Sequence, residues 1–251
     1  MILSECITRL RRIPETTREL TLGSLLLIAT IVGAVALGRI LDYVPSFVIF
    51  DTVLYEAINL GPHPAWLNTL VSPFNFNFLP WGGTFIPSFL YFVFAFGLIY
   101  VGIRHRKELL WASIALLTAI TIDAVLFKIT NTYVVRDRPF LHLPNNLTDS
   151  AKAIWRNWPT YPSGHVRDMA LYSTVLAGYA RELRWPFILL TLWIAFTRIY
   201  IGAHYPTDVL AGWVIGYFVG IAVFLLIQPL RRQHRREQEE RTHSVLPTNV
   251  V

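Results

Sequence analysis

The chain has 251 residues, of which 54% are hydrophobic and only 15% are charged, and its mean hydropathy is +0.46. Soluble domains carry about 25% charged residues, so this composition excludes an ordinary soluble domain and favours a membrane protein. The formal net charge of +6 does not indicate a nucleic-acid-binding protein, because the Lys and Arg residues follow the pattern of the predicted membrane spans.

Six apolar stretches suit membrane-spanning helices. They comprise residues 22–41, 85–103, 109–127, 166–180, 186–201 and 209–227. A helix needs about 20 apolar residues to cross about 30 Å of hydrocarbon. The sequence therefore predicts an all-α, integral membrane bundle of six transmembrane helices in one domain, residues 1–230. The first stretch also fits a cleaved signal peptide, since a basic start and the residues 34–36 resemble a cleavage site, but a full-length span explains it equally well.

The basic residues predict how these helices are oriented. Fourteen of the 22 Lys and Arg residues lie before the first stretch or after the second, fourth or sixth, which places them on one side of a six-helix bundle. The positive-inside rule makes that side cytoplasmic, so we expect a plasma-membrane protein with both termini inside. Residues 231–251 are rich in Arg, Glu and Gln, and we expect a helical cytoplasmic tail that becomes disordered towards its end.

Two longer segments fall on the outer side. Residues 42–80 contain five prolines and many aromatic residues but few charges. This pattern indicates either short helices that lie in the membrane interface or an ordered extracellular loop. Residues 141–161 are polar and loop-like, and they are in a position to close over a lipid headgroup.

A first group of polar residues ends the third stretch. Its members are Lys128, Asn131, Arg136, Asp137, Arg138 and Pro139. An arginine offers five donors in a planar fork that suits phosphate oxygens, and it keeps its charge at any physiological pH. Pro139 ends the helix and fixes the direction of Arg138. The alternative is that Arg136 and Arg138 only anchor a helix end at lipid headgroups.

A second group, Pro162-Ser163-Gly164-His165, immediately precedes the fourth stretch. Gly164 allows a ligand to approach the backbone closely, and the free N–H groups at a helix start form an anion site. Asp168 falls in the first turn, where negative charge is favoured. A Ser-Gly pair is also a common way to begin a helix, so this group alone is a weak signal.

A third group joins the fifth and sixth stretches and contains Arg198, His204, Pro206 and Asp208. His204 and Asp208 are four residues apart, so their side chains share a face on a helical turn. We expect the carboxylate to hold one ring nitrogen of the imidazole and leave the other directed at a substrate, as in catalytic triads. The alternative is an ordinary hydrogen-bonded pair.

Together the three groups bring two arginines, a helix start, two histidines and a carboxylate to one membrane face. This set suits phosphoryl transfer, in which charge stabilisation and positioning do most of the catalysis. One histidine would attack phosphorus while the other protonates the leaving oxygen. A zinc site of His165, His204 and Asp208 is the alternative, but the nearby arginines would repel a cation. We therefore predict neither a metal nor another cofactor.

At these residues the sequence resembles the type 2 phosphatidic acid phosphatase family, which includes bacterial undecaprenyl-diphosphate phosphatases and vanadium-dependent haloperoxidases. The family's first motif is a lysine, six residues and Arg-Pro. Arg138-Pro139 match it, but Asn131 occupies the lysine position, and Lys128 lies one turn earlier. The second motif, Pro-Ser-Gly-His, is matched in full, and the third is matched by Arg198, His204 and Asp208.

The resemblance implies a role for each matched residue. His204 would form a phosphohistidine, Asp208 would orient it and His165 would protonate the leaving group. The residues implied in phosphate binding are Arg138, Arg198, Ser163 and Gly164, with Lys128 or Asn131 in the place of the motif lysine. The family needs no metal, and its haloperoxidase branch is soluble, unlike this chain.

Three functions follow as hypotheses. The first is a lipid phosphatase that acts on the outer face on a phosphatidate, a phosphatidylglycerol phosphate or a polyprenyl diphosphate. The second keeps the phosphohistidine but transfers the phosphate to another lipid. The third is a lipid-binding or transport protein without catalysis, which the missing lysine at position 131 would explain. The expected partners are a lipid phosphate and the bilayer, with no nucleic acid.

Overall fold

The computed structural model describes residues 14–71, 88–145, 147 and 149–245. This part of the chain is helical and contains no strand, which confirms the predicted all-α class. Its α-helices are α1 (Glu15–Tyr43), α2 (Pro45–Asn59), α3 (Ala65–Val71), α4 (Ser88–Arg104), α5 (Leu109–Tyr133), α6 (Asp149–Trp155), α7 (Gly164–Tyr179), α8 (Arg184–Tyr200) and α9 (Pro206–Val245). Short 3-10 helices span Arg106–Glu108, Pro139–Leu141 and Arg181–Leu183.

Each of the six apolar stretches overlaps one helix: α1, α4, α5, α7, α8 or α9. By length and composition, three described segments suffice to cross a membrane, namely Glu15–Tyr43, Arg106–Tyr133 and Pro206–Thr242. α7 and α8 have only 16 and 17 residues, so their full crossing of a bilayer stays a prediction.

The packing of α9 against α7 fixes the start of α7. A Cβ atom at Gly212 would lie 2.6 Å from the carbonyl oxygen of Ser163, and one at Gly216 would lie 2.1 Å from that of Arg167. Small residues at i and i+4 allow two helix backbones to approach closely, as they do in membrane bundles. The glycines therefore hold the first turn of α7 against the first turns of α9.

Ion pairs gather one end of the bundle, which we call the basic end. The pairs are Arg231–Glu108 (2.7 Å), Arg232–Glu15 (3.1 Å) and His105–Glu182 (2.6 Å). They join the start of α1, the α4–α5 and α7–α8 connections and the last part of α9. The same segments carry the basic residues that the sequence places on one side of the membrane.

The tail predicted for residues 231–251 begins as a helix, and α9 runs without a break to Val245. The boundary predicted at residue 230 therefore does not coincide with a break in the structure. Residues 246–251 lie outside the described part of the chain.

α2 and α3 occupy part of the segment for which interfacial helices are predicted, and residues 72–80 lie outside the described residues. α2 turns Asp51, Tyr55 and Asn59 towards the bundle and exposes apolar residues such as Ile49 and Val53. An outward apolar face is typical of a helix that lies against lipid, which supports the interfacial interpretation.

Candidate active site

A cavity of about 350 Å³ opens at the opposite end of the bundle, which we call the cavity end. Its lining comes from α5, the connection between α5 and α7, the start of α7, the end of α8 and the α8–α9 turn. His165, His204, Arg138 and Arg198 all line it. The structure thus brings together four of the residues that the motifs single out.

His204 lies in the turn between α8 and α9, and Gly202 shapes this turn. Gly202 has φ +82°, the left-handed conformation that glycine adopts readily, and its N–H donates to the carbonyl of Ile199 at 2.9 Å. This glycine ends α8 and reverses the chain. His204 then projects into the cavity with only 5% of its surface exposed.

The hydrogen bonds of His204 define its tautomer. Nδ1 lies 2.8 Å from the carbonyl oxygen of Thr160 and 3.1 Å from its hydroxyl. A carbonyl oxygen only accepts, so Nδ1 carries the proton and Nε2 keeps its lone pair. Burial, followed by the positive charges of Arg138 and Arg198, holds the pKa of His204 well below its usual value. The ring is therefore neutral at neutral pH, with Nε2 available as a nucleophile.

Asp208 is fully buried, but it does not bind the ring of His204. Its Oδ2 accepts hydrogen bonds from the Thr160 hydroxyl at 2.7 Å and from the Tyr205 N–H at 2.9 Å. The direct hydrogen bond between Asp208 and His204 that their spacing predicts is absent, and that prediction is wrong. α9 begins at Pro206, so His204 precedes the helix and the i, i+4 rule does not apply. Thr160 connects the carboxylate to the imidazole instead.

Arg136 holds the other oxygen of Asp208, at 2.6 Å, and also pairs with Asp51 at 2.6 Å and Asp42 at 2.9 Å. It is 7% exposed, so it is a buried link between α1, α2 and α9 and not a headgroup anchor. The Thr207 N–H donates to Asp51 at 2.9 Å and extends the network. The sequence analysis missed Asp42 and Asp51, although acids beside apolar helices usually have a buried partner.

Arg138 is directed at the cavity without a carboxylate partner among the described residues. Its guanidinium donates to the carbonyl oxygens of Ala203 at 2.8 Å and Trp158 at 3.0 Å, and Nη1 lies 3.4 Å from Nε2 of His204. Burial lowers the pKa of Arg138 to about 10, so it stays charged at neutral pH. A buried cation of this kind requires an anionic partner, and a phosphate would supply it.

Arg198 contributes a second buried cation at the end of α8. It has no exposed surface, lines the cavity, and its Nε lies 3.2 Å from the hydroxyl of Thr197. Thr197, the residue before Arg198, thus supplies a hydroxyl that contacts the arginine.

Ser163 and Gly164 begin α7 beside these arginines. The Ser163 N–H donates to the carbonyl of Asp208 at 3.0 Å, and its buried hydroxyl has no hydrogen-bond partner in the described part of the chain. Gly164 lines the cavity, and a Cβ atom there would meet nothing within 4 Å. The missing side chain thus leaves open space for a ligand, whereas Ser163 lies behind the cavity wall.

Residues 141–161 contain more structure than predicted. Residues 149–155 form the short helix α6 and not a loop, and Trp155, Trp158 and Pro159 line the cavity. The Arg138 guanidinium lies 5.4 Å from the ring centre of Trp155. The segment therefore borders the cavity, in keeping with the expectation that it lies over a headgroup.

A sequence model of the PAP2 superfamily matches residues 108–232, which contain all the cavity-lining residues. The chain belongs to the PAP2 superfamily. It is accordingly a membrane enzyme of the phosphatase type found in this family.

Relatives and a solved structure agree with this PAP2 assignment. The chain is 29% identical to undecaprenyl-diphosphatase BcrC of Bacillus subtilis over 56% of its own length and 72% of that protein. It is 27% identical to a lipid A 1-phosphatase of Rhizobium etli over 42% of its length, and the match spans about half (46%) of that relative. The crystal structure of a transmembrane PAP2 type phosphatidylglycerolphosphate phosphatase from Bacillus subtilis shares the fold, with a TM-score of 0.55 and 18% identity over 82% of this chain and 96% of that one.

Lys128 and Asn131, for which a phosphate-binding role is predicted, do not line the cavity of this PAP2 site, and that role stays a prediction. The α5 residues that line the cavity are Ile120, Asp123, Ala124 and Phe127. Lys128 and Asn131 continue this stripe by about one turn towards the end of α5, but neither lines the cavity, and Lys128 is exposed. Helical spacing gave the correct face of α5 but not where along it the cavity ends.

The inner part of the PAP2 cavity holds charged residues that the motifs do not include. Asp123, Arg167 and Asp168 all line it. Asp123 is the only charged residue in the apolar stretch 109–127, and an ionisable group at membrane depth usually marks a functional site. That signal would have identified it from the sequence.

The structure does not arrange His165, His204 and Asp208 as the alternative zinc site. Both carboxylate oxygens of Asp208 bind Arg136, Thr160 or the Tyr205 backbone, and they are not free for a metal. Within the described residues, no group of three or more His, Cys, Asp or Glu residues is arranged to hold a metal ion.

Proposed function

We propose that this PAP2 enzyme hydrolyses a lipid phosphate at the outer face of the plasma membrane through a phosphohistidine on His204. The observation that carries the proposal is the His204 tautomer. Nδ1–H is bound to the Thr160 carbonyl, so Nε2 keeps its lone pair. Nε2 lies 3.4 Å from Nη1 of Arg138. A nucleophile next to a cation that lacks a carboxylate partner suits attack on a phosphorus atom.

The first step transfers the phosphoryl group to the enzyme. Burial and the charge of Arg198 lower the pKa of His165 in the empty cavity, and an incoming phosphate dianion favours the protonated ring, so His165 takes up a proton as the substrate binds. Nε2 of His204 then forms a bond to phosphorus while the bond from phosphorus to the lipid oxygen breaks, and His165 gives its proton to that oxygen. Arg138 and Arg198 neutralise the phosphoryl oxygens, and the Gly164 N–H provides a further donor. Each of these residues lines the cavity.

The second step releases phosphate. His165, now neutral, removes a proton from a water molecule whose oxygen attacks phosphorus, and the bond to Nε2 of His204 breaks. Asp208 does not touch the ring in this scheme. It is a positioning residue that holds Thr160, and Thr160 in turn holds Nδ1–H.

The proposed membrane arrangement has six spans, cytoplasmic termini and the cavity end outside. Support comes from the ion pairs of the basic end, which gather the same segments as the basic residues, and from the location of the cavity at the other end of the helices. The lipid candidates remain a phosphatidate, a phosphatidylglycerol phosphate and a polyprenyl diphosphate.

The test is phosphate release from these three lipids by purified protein and by the variants His204→Ala and His165→Ala. His142→Ala is the matched control, because His142 is an exposed histidine near the same end that pairs with Asp137 at 2.9 Å. We expect full activity in the control, with or without a metal chelator, and loss of activity in the two cavity variants. Equal activity of His204→Ala and the unaltered enzyme would refute the mechanism. If the terminal phosphate of the lipid is labelled, label recovered in a second lipid would indicate transfer instead of hydrolysis.

A further inference from the structure

The inner part of the cavity carries charged residues that the phosphate site does not include. There α5 and α7 contribute Asp123, Arg167 and Asp168 to the lining, together with apolar side chains. The proposed reaction uses none of these three charged residues. The apolar neighbours in the lining are Ile120, Ala124, Phe127, Leu171 and Tyr172.

Arg167 is the centre of this cluster. Its Nε lies 2.6 Å from Oδ1 of Asp123, and its Nη2 lies 3.2 Å from Oδ1 of Asp168. The guanidinium also lies 4.9 Å from the ring centre of Phe127, and Arg167 is only 4% exposed. Its Nη1 is buried and has no hydrogen-bond partner among the described residues. A buried donor without a partner is costly, so this atom indicates a place for a ligand acceptor.

The cluster lies next to the expected leaving group. Arg167 and Asp168 follow His165 by two and three residues near the start of α7. If His165 protonates the lipid oxygen, as the proposed function requires, the atoms bound to that oxygen lie within reach of the cluster. The rest of the lipid then continues towards the apolar lining.

The charges of the cluster select the kind of leaving group. One guanidinium faces two carboxylates, so a second phosphate group would meet Asp123 and Asp168 as well as Arg167. A like-charge contact in a buried site is unfavourable. An uncharged hydroxyl or amide, in contrast, donates to a carboxylate and accepts from Nη1 of Arg167.

We propose that Asp123, Arg167 and Asp168 form a leaving-group subsite that selects phosphomonoesters of polyol or sugar lipids over polyprenyl diphosphates. A hydroxyl or amide close to the ester oxygen binds between Arg167 and a carboxylate. The second phosphate of a diphosphate is rejected there. This inference rests on the proposed phosphatase function and names the substrate class for the same cavity.

The test compares kcat/KM for phosphatidylglycerol phosphate, which carries a free hydroxyl beside its phosphomonoester, with that for farnesyl diphosphate. The unaltered enzyme should prefer the hydroxyl-bearing monoester by at least about tenfold, the effect of one hydrogen bond to a charged group. In Asp168→Asn and Asp123→Asn this preference should fall by about tenfold, through a higher rate with the diphosphate and a higher KM for the monoester. Asp137→Asn, at an exposed acid outside the cavity, is the control and should keep the preference.

Two outcomes would overturn the subsite. The first is a kcat/KM of the unaltered enzyme for farnesyl diphosphate that equals or exceeds its kcat/KM for the monoester. This outcome can be observed without any variant. The second is an equal loss for both substrates in the Asn variants together with a lower melting temperature, the result of a purely structural role. In both cases the proposed function stands if activity depends on His204. Loss of that dependence would instead refute the proposed function itself.

Discussion

Replacement of Arg136 by Met is expected to destabilise the cavity end strongly. Arg136 joins Asp42, Asp51 and Asp208, and its loss leaves these carboxylates without their shared cation. Asp51 is 1% exposed and Asp208 has no exposed surface, so water screens neither charge. Asp42 is partly exposed and adds little.

The magnitude follows from this burial. Removal of one partner of a buried ion pair costs about 3–5 kcal/mol in the free energy of unfolding. For a chain of this size, each kcal/mol lowers the melting temperature by about 2–4 °C, so Arg136→Met should melt roughly 6–20 °C lower. Activity at low temperature should also fall, because Asp208 then holds Thr160 less firmly.

Thermal unfolding of the purified protein in detergent, followed by intrinsic fluorescence, measures this effect. Arg156→Met, at an exposed arginine near the same end, is the control and should melt within about 2 °C of the unaltered protein. The double variant Arg136→Met with Asp51→Asn should recover part of the loss, since one uncompensated charge is removed. A melting temperature of Arg136→Met equal to that of the control, or a double variant less stable than the single one, would refute the reasoning.

Three further predictions address the site itself. Thr160→Val removes the hydroxyl that bonds to Asp208 but keeps the backbone carbonyl that holds Nδ1–H of His204. We therefore expect kcat to fall about tenfold, far less than in His204→Ala. A loss as large as in His204→Ala would contradict this. Gly164→Ala places a methyl group in the open cavity and should raise KM without lowering the melting temperature, whereas Gly216→Ala clashes with the α7 backbone and should cost about 1–3 kcal/mol of stability; equal melting temperatures would count against the packing. Because the pKa of His204 is depressed, the ring stays neutral and nucleophilic as the pH falls through 6.5, and the acidic limb of kcat/KM should lie below that value; a limb at or above pH 6.5 would argue against His204 as nucleophile.

The sequence predicted the residues of the site better than their contacts. Apolar stretches and helix-end motifs placed His165, His204, Arg138 and Arg198 at one end of a helical bundle, because helix ends can be read from local patterns. All four line one cavity in the structure. Lys128 does not line it, because periodicity identifies a face of α5 but not the depth at which a cavity ends.

The contacts that were missed depend on residues far apart in the chain. Arg136 binds Asp51, 85 residues away, and no local pattern specifies such a pair. The expected bond between Asp208 and His204 assumed a helix through both residues, whereas α9 begins between them. Thr160 then takes the place beside Nδ1, and an isolated threonine in a polar segment carries no signal of that role.

The most direct test of the account is to trap phosphate on His204. The enzyme is mixed briefly with a lipid phosphate labelled in its terminal phosphoryl group and stopped in alkali, and the labelled peptide is identified. The account predicts a base-stable, acid-labile label on the peptide that contains His204 in the unaltered enzyme and in the control His142→Ala, and none in His204→Ala. Label on another residue, or full phosphatase activity in His204→Ala, would contradict it.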